Sequence, residues 1–295
     1  GLTTVLQGTL QYGIADMLST GTVTVNNGTL DINNFSDSVG VITLVNDGSI
    51  IDGGGSTAVL TTTGSMTLQS GTISARIGGT VGTTLNKSTT DRVTLSGDNS
   101  FTGTVISLGA GYLRLGHNNA LGASGTGTTT TITSGAVLEL VGNITIPATK
   151  AFSVSGSGIS NVGAIRNISG TNTISANIPL GATNTRINSD AGSLTIPTVS
   201  GNTFNVLFGG AGDITVSGAI STTTGTLTKD GAGVLTLSGV NTYTGTTTIS
   251  GGTIAASSTD SLGTGVSSNT LIFNGGTLRA NGTITSPSTR AITLT

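Results

Sequence analysis

The sequence has 295 residues, of which only 7% are charged and 3% aromatic, with 10 Lys and Arg against 12 Asp and Glu, 48 glycines and neither Cys nor Trp. Without Cys there are no disulfides and no thiolate metal sites, which fits a large exported protein. The basic residues stand singly, so no stripe exists to neutralise phosphates and no nucleic acid partner is expected; no apolar run is long enough to cross a bilayer, so no membrane insertion of this segment is expected.

Val, Ile and Leu alternate with Thr and Ser, which supplies apolar faces of period two and predicts an ordered all-β chain rather than disorder. Gly1-Leu2-Thr3-Thr4 has neither the basic nor the apolar region of a signal peptide, which places any export signal or anchor outside the chain. Leu6 to Leu18 resembles Ile249 to Leu262 near the other end, with Leu18, Leu121 and Leu262 in the same place. Val23 to Ile32 sets a short unit of two apolar-x-apolar segments joined by Asn and Gly, and it returns at Met66 to Ala75 and Leu271 to Ala280. Alternation puts Val23, Val25, Leu30 and Ile32 on one face, across an Asn/Gly turn that tolerates positive φ.

A longer repeat follows. Val93 to Gly103 matches Leu235 to Gly245, Leu85-Asn86-Lys87 answers Leu227-Thr228-Lys229, and Ile144 to Ala151 answers Ile284 to Ala291. A hairpin sandwich would also produce such segments. Very short strands, small polar and β-branched residues, and few large residues for a thick sandwich core favour a parallel β-helix or β-solenoid. With roughly 20–25 residues per coil, the chain would hold about a dozen rungs. The expected organisation is one solenoid over residues 1–295 with degenerate copies at about 1–83, 84–225 and 226–295. Neither end shows a charged or proline-rich cap, and Ala291 to Thr295 stops in a strand pattern, so the chain reads as a fragment or a unit that joins neighbours.

Thr226 to Ile254 resembles the autotransporter-associated β-strand repeat, also called the passenger-associated transport repeat. The copy from Thr84 to Leu121 departs from it: Lys87 to Arg92 replaces the usual Lys-x-Gly-x-Gly, and Ala110-Gly111 disturbs the following Gly-Thr-Leu, which predicts a reshaped loop. Val23 to Asp52 and Gly64 to Gly79 resemble the spacer rungs of such passengers, whereas residues 150–210 are the least typical. The resemblance implies a right-handed β-helix on the surface of a Gram-negative-type cell, adhesin- or haemagglutinin-like. The repeat itself brings no catalytic residue.

A search for chemistry agrees with that absence. His117 is the one His, in a variable loop and without a Gly-Asp-Ser-Gly nucleophile context, and reads as solvated. Glu139 is the one Glu, so the paired carboxylates of a glycan-cleaving β-helix have no local signature. Asp47 and Asp52 flank Gly53-Gly54-Gly55 and could meet Asp31 or Asp37 on the next rung; this is the best candidate cation cluster, though small for Ca²⁺. Gly209 to Asp213 misses the calcium β-roll spacing, and no phosphate loop is present. Lys87 with Lys229, and Lys150 with Arg290, share repeat positions and read as turn cations covering carbonyls. Phe101 and Tyr243 share another and read as rung corners rather than sugar platforms. The sequons at Asn27, Asn34 and Asn143 are no more than chance in so Asn- and Thr-rich a chain.

No catalytic, cofactor-binding or metal-binding residue is therefore assigned, and no cofactor is expected. The expected function is that of a non-enzymatic, extracellular passenger on the bacterial outer surface, acting in adhesion or autoaggregation. Its partners would be a host or neighbouring-cell surface, or the same protein on other chains. The alternative is a self-assembling subunit of an extracellular fibre, sheath or surface layer, pairing through strand edges around Ile292 and Leu294.

Overall fold

Side chains alternate across a strand, so short apolar segments can all face inward only if each lies over the next. The computed structural model, which describes residues 1–55, 57–79, 82–102, 105–123 and 129–295, builds this stack. Leu10, Leu30, Ile50, Ile73, Leu95 and Leu115 pair in parallel register, one per turn. All but Leu10 are buried. The fold is an all-β parallel β-solenoid of about 13 turns. Gly103, which closes the first copy of the long repeat, lies outside the described residues.

The chain forms two compact units, Gly1–Ile132 with Thr149–Ala151, and Thr133–Ala148 with Phe152–Thr295. In the first, one sheet runs through Thr3–Val5, Val23–Asn26, Ile42–Val45, Met66–Leu68, Thr84–Lys87, Val105–Leu108 and Thr129–Ile132. A second holds the Leu30 column, and a third pairs Asp37–Val39, Val59–Thr62 and Arg76–Gly79. Outward on the first sheet stands a polar ladder, Thr4, Thr24, Thr43, Thr67, Asn86, Ser107 and Thr131, each in register with the next.

The second unit repeats the plan. Asn167, Ser189 and Lys229 enter its inner columns beside Ile165, Ile187, Phe208 and Ile249, while Thr145, Thr173, Thr195, Thr215 and Thr236 form an outward threonine ladder. Corners are made by residues that accept positive φ. Asn27, Asn34 and Asn143, the sequon residues, all lie there, at φ 55°, 64° and 63°. Their abundance follows from turn chemistry, because a short polar side chain tolerates the left-handed region.

Candidate functional site

Lys87 pairs with Leu108 in an inner column, wholly buried, where its ammonium donates to the carbonyl of Thr89 and, at 3.3 Å, to that of Ala110. Lys229 does the same in the second unit, donating to the carbonyls of Asp230, Gly231 and Gly251 at 2.5, 2.8 and 3.4 Å. Both copies thus keep a lysine corner on backbone carbonyls despite the departures at Lys87–Arg92 and Ala110-Gly111, and the first copy adds a side-chain acceptor, Thr89 Oγ1 at 3.2 Å. Burial pushes the Lys87 and Lys150 ammoniums down to about 8, against the opposing pull of Asp91 on Lys87. Lys150 donates to the carbonyls of Leu121 and Ala123 at 2.9 and 2.8 Å; Arg290 donates to those of Leu262 and Gly263 at 3.2 and 3.0 Å. All four are turn cations.

Asn99 and Asn241, which precede the shared aromatics, are buried bridges that sequence inspection passes over. Asn99 accepts from the Ile77 N–H at 2.9 Å on one turn and donates to the Ala120 carbonyl at 2.9 Å on another. Asn241 accepts from Ile220 N–H at 2.7 Å and donates to the Ser261 carbonyl at 2.5 Å. Phe101 and Tyr243 are 1% and 0% exposed, which removes any ring face for a sugar.

The carboxylate cluster divides. Asp31 accepts from Gly53 N–H, Gln11 and Asn33 N–H, and although burial pushes its carboxyl up, these bonds outweigh it and hold the group below the usual range. Asp37 accepts from Leu18 N–H at 2.8 Å and Ser38 N–H at 2.7 Å. Asp47 lines a separate shallow bay with Leu6, Gln7, Asn26, Asn27 and Asn46. Among the described residues no three His, Asp or Glu side chains gather as a metal-holding set.

Asp52 has a different setting. It lines a cavity of about 240 Å³ with Gly55, Ser74, Arg76, Ser96, Gly97, Asp98 and His117, drawn from the corners of successive turns. Asp52 Oδ1 accepts from Asn34 N–H at 2.5 Å, but Asp52 Oδ2 and Arg76 Nε are buried without a hydrogen-bond partner. His117 Nδ1 stands 3.8 Å from Asp98 Oδ1, so the one His does reach an Asp, beside two serines. The proton is nevertheless misplaced for a catalytic triad. Nδ1 accepts from Asn119 N–H at 3.1 Å, which leaves the ring proton on Nε2 and no lone pair there to take a serine proton.

Sequence reading also missed a charged network on the second unit. Arg166 joins Glu139, wholly buried, at 3.3 Å, and Asp190 at 2.5 Å. Asn188 links Asp190 at 2.7 Å to Arg186 at 3.2 Å, and Arg186 grips Asp230 at 2.6 and 2.7 Å. Each Arg fork is occupied by a carboxylate, so the network leaves little capacity for an anionic ligand. The available signal was the spacing of Arg166 and Arg186, which fall on consecutive turns in a chain with few charges.

Solenoid turns, lysine corners and asparagine bridges recur at two places, and residues 85–115 and 227–256 both match the family described as passenger-associated-transport-repeat. Two segments of the chain are similar to the passenger-associated transport repeat. Each match begins just before a buried corner lysine, Lys87 or Lys229, and runs on past a bridging asparagine, Asn99 or Asn241, so the passenger repeat coincides with the parts that hold one turn to the next. No curated protein and no solved structure matches the chain.

Proposed function

We propose that the chain is a stretch of a secreted bacterial passenger, displayed on the outer cell surface, where its non-enzymatic solenoid acts in adhesion or autoaggregation. The pair of passenger-associated transport repeats set in a parallel β-solenoid is the observation that carries this reading. Two further features support it. The outward Thr, Ser and Asn ladders offer hydrogen-bonding groups at the strand spacing, roughly 4.8 Å apart, with almost no charge to desolvate on contact. The serine and histidine lining the cavity lack the proton arrangement of a hydrolase.

Cells expressing the full protein should adhere to surfaces or aggregate, and an in-frame deletion of these residues should remove that behaviour without stopping export. Deletion cells that adhere and aggregate like the parent would overturn the adhesive role. Purified chains that join into continuous fibres under electron microscopy would instead support the structural-subunit alternative.

A further inference from the structure

The single histidine of the chain is built into a corner of the first unit. His117 lies where the strand Gly111–Leu115 ends and the chain turns, with its side chain 39% exposed. Its Nδ1 accepts from Asn119 N–H at 3.1 Å, two residues on, as a short side-chain acceptor does when it closes a turn. Asn119 also holds Asp98, its Nδ2 donating to Asp98 Oδ1 at 2.7 Å. That oxygen stands 3.8 Å from His117 Nδ1, too far for a hydrogen bond. The three side chains form a triangle in which the imidazole is an acceptor.

An imidazole nitrogen accepts only while it carries no proton. Proton uptake from solvent, with no other reactant, turns Nδ1 into a second donor, and two donors 3.1 Å apart cannot bond. The bond from Asn119 N–H is then lost. Asp98 offers the new Nδ1–H an acceptor, because a carboxylate oxygen has room for a second bond beside that from Asn119 Nδ2. The other charges near the ring do not compete for that role. Asp52 and Arg76 share the cavity wall with His117 and Asp98 and carry opposite signs, and Lys150 is held on the carbonyls of Leu121 and Ala123 just beyond the turn.

The rest of the corner is pinned. Ala120 N–H donates to the His117 carbonyl at 3.0 Å and Gly122 N–H to the Asn119 carbonyl at 2.8 Å. Asn99 holds the Ala120 carbonyl and Lys150 that of Leu121. Rearrangement is therefore confined to the segment from His117 to Asn119.

We infer that this corner is a proton-operated switch. Neutral His117 closes the turn on Asn119 N–H; charged His117 leaves that N–H and pairs with Asp98. The cavity wall that both residues line then changes shape and gains a positive charge in mild acid, where histidine ordinarily changes charge. The switch goes beyond the adhesive reading and does not rest on it, because it makes one corner of the first unit responsive to the acidity of its surroundings.

The test is a pH titration of the whole, isotope-labelled 295-residue chain from about pH 8 to about pH 5, following the His117 ring nitrogens and the backbone amides by NMR. At the upper limit Nε2 should carry the ring proton and Nδ1 the lone pair. The Asn119 amide should move with the same midpoint as Nδ1, while the Ile77 amide on the Asn99 bridge stays fixed. Asp98→Asn should lower that midpoint by about half a pH unit or more. His117→Asn keeps an acceptor for the Asn119 N–H but does not titrate, so it should hold the Asn119 amide still across the range. A ring that titrates while the Asn119 amide stays fixed, or an Nδ1 already protonated at the upper limit, would overturn the inference. An Asn119 amide that moves equally in His117→Asn, or a midpoint unchanged in Asp98→Asn, would overturn it as well.

Discussion

Arg186 reaches over Gly209 on the neighbouring turn to grip Asp230, 44 residues away in sequence, with bonds of 2.6 and 2.7 Å. The crossing needs a glycine. A Cβ at position 209 would lie 2.0 Å from Arg186 Nη2 and 2.3 Å from Asp230 Oδ1. Arg186→Ala and Asp230→Ala should each lower stability by about 2 kcal/mol, and the double variant should lose far less than their sum. Gly209→Ala should open the same clamp. Denaturant unfolding of the four variants measures the coupling; additive losses would show that the pair is not a unit.

The lysine corners predict a graded response. Lys229→Ala removes a donor to three carbonyls and leaves a void in an inner column, for a loss of about 3 kcal/mol. Lys229→Met fills the column and should lose less. Equal loss in the two variants would mean that the ammonium's bonds, and not the void left by the stem, set the cost.

Asn241→Ala leaves Ile220 N–H and the Ser261 carbonyl unpaired on two different turns. The expected loss is about 2–4 kcal/mol, with hydrogen exchange accelerated at Ile220 before other amides of the same strand. Asn99→Ala should do the same at Ile77.

Stability should depend on pH in three windows. Asp31 has its carboxyl lowered from 3.8, so the stability it contributes is present above that value and is lost as acid protonates the folded group. Lys87 and Lys150, held at about 8 against 10.5 unfolded, bind fewer protons when folded, so stability should rise with pH from about 8 toward 10.5. Tyr243, raised from 10.0 to about 12 chiefly by burial, keeps its proton after the unfolded chain has lost it, so its contribution is lost as pH rises from about 10 to about 12. Unfolding midpoints scanned from pH 3 to 12 check all three signs, and Lys150→Met should flatten part of the middle rise.

The inner columns were legible because the signal is local: two apolar residues on either side of an Asn/Gly turn fix which faces point inward at Val23, Val25, Leu30 and Ile32. The lysine corners were legible for a related reason, since Lys87 and Lys229 share a repeat position. The Glu139–Arg166–Asp190–Arg186–Asp230 network was not. Its members are brought together by turn length, which varies by a few residues per coil, and a small error in that length misplaces every contact. The cavity escaped for the same reason, because Asp52, Arg76, Asp98 and His117 come from successive corners, and Arg76 carries no motif.

The central claim, that a passenger solenoid is displayed at the cell surface, is tested most directly by labelling cells with an antibody raised against these residues before and after permeabilisation. Full labelling of intact cells, removed by external protease, is the predicted result. Labelling that appears only after permeabilisation would contradict it.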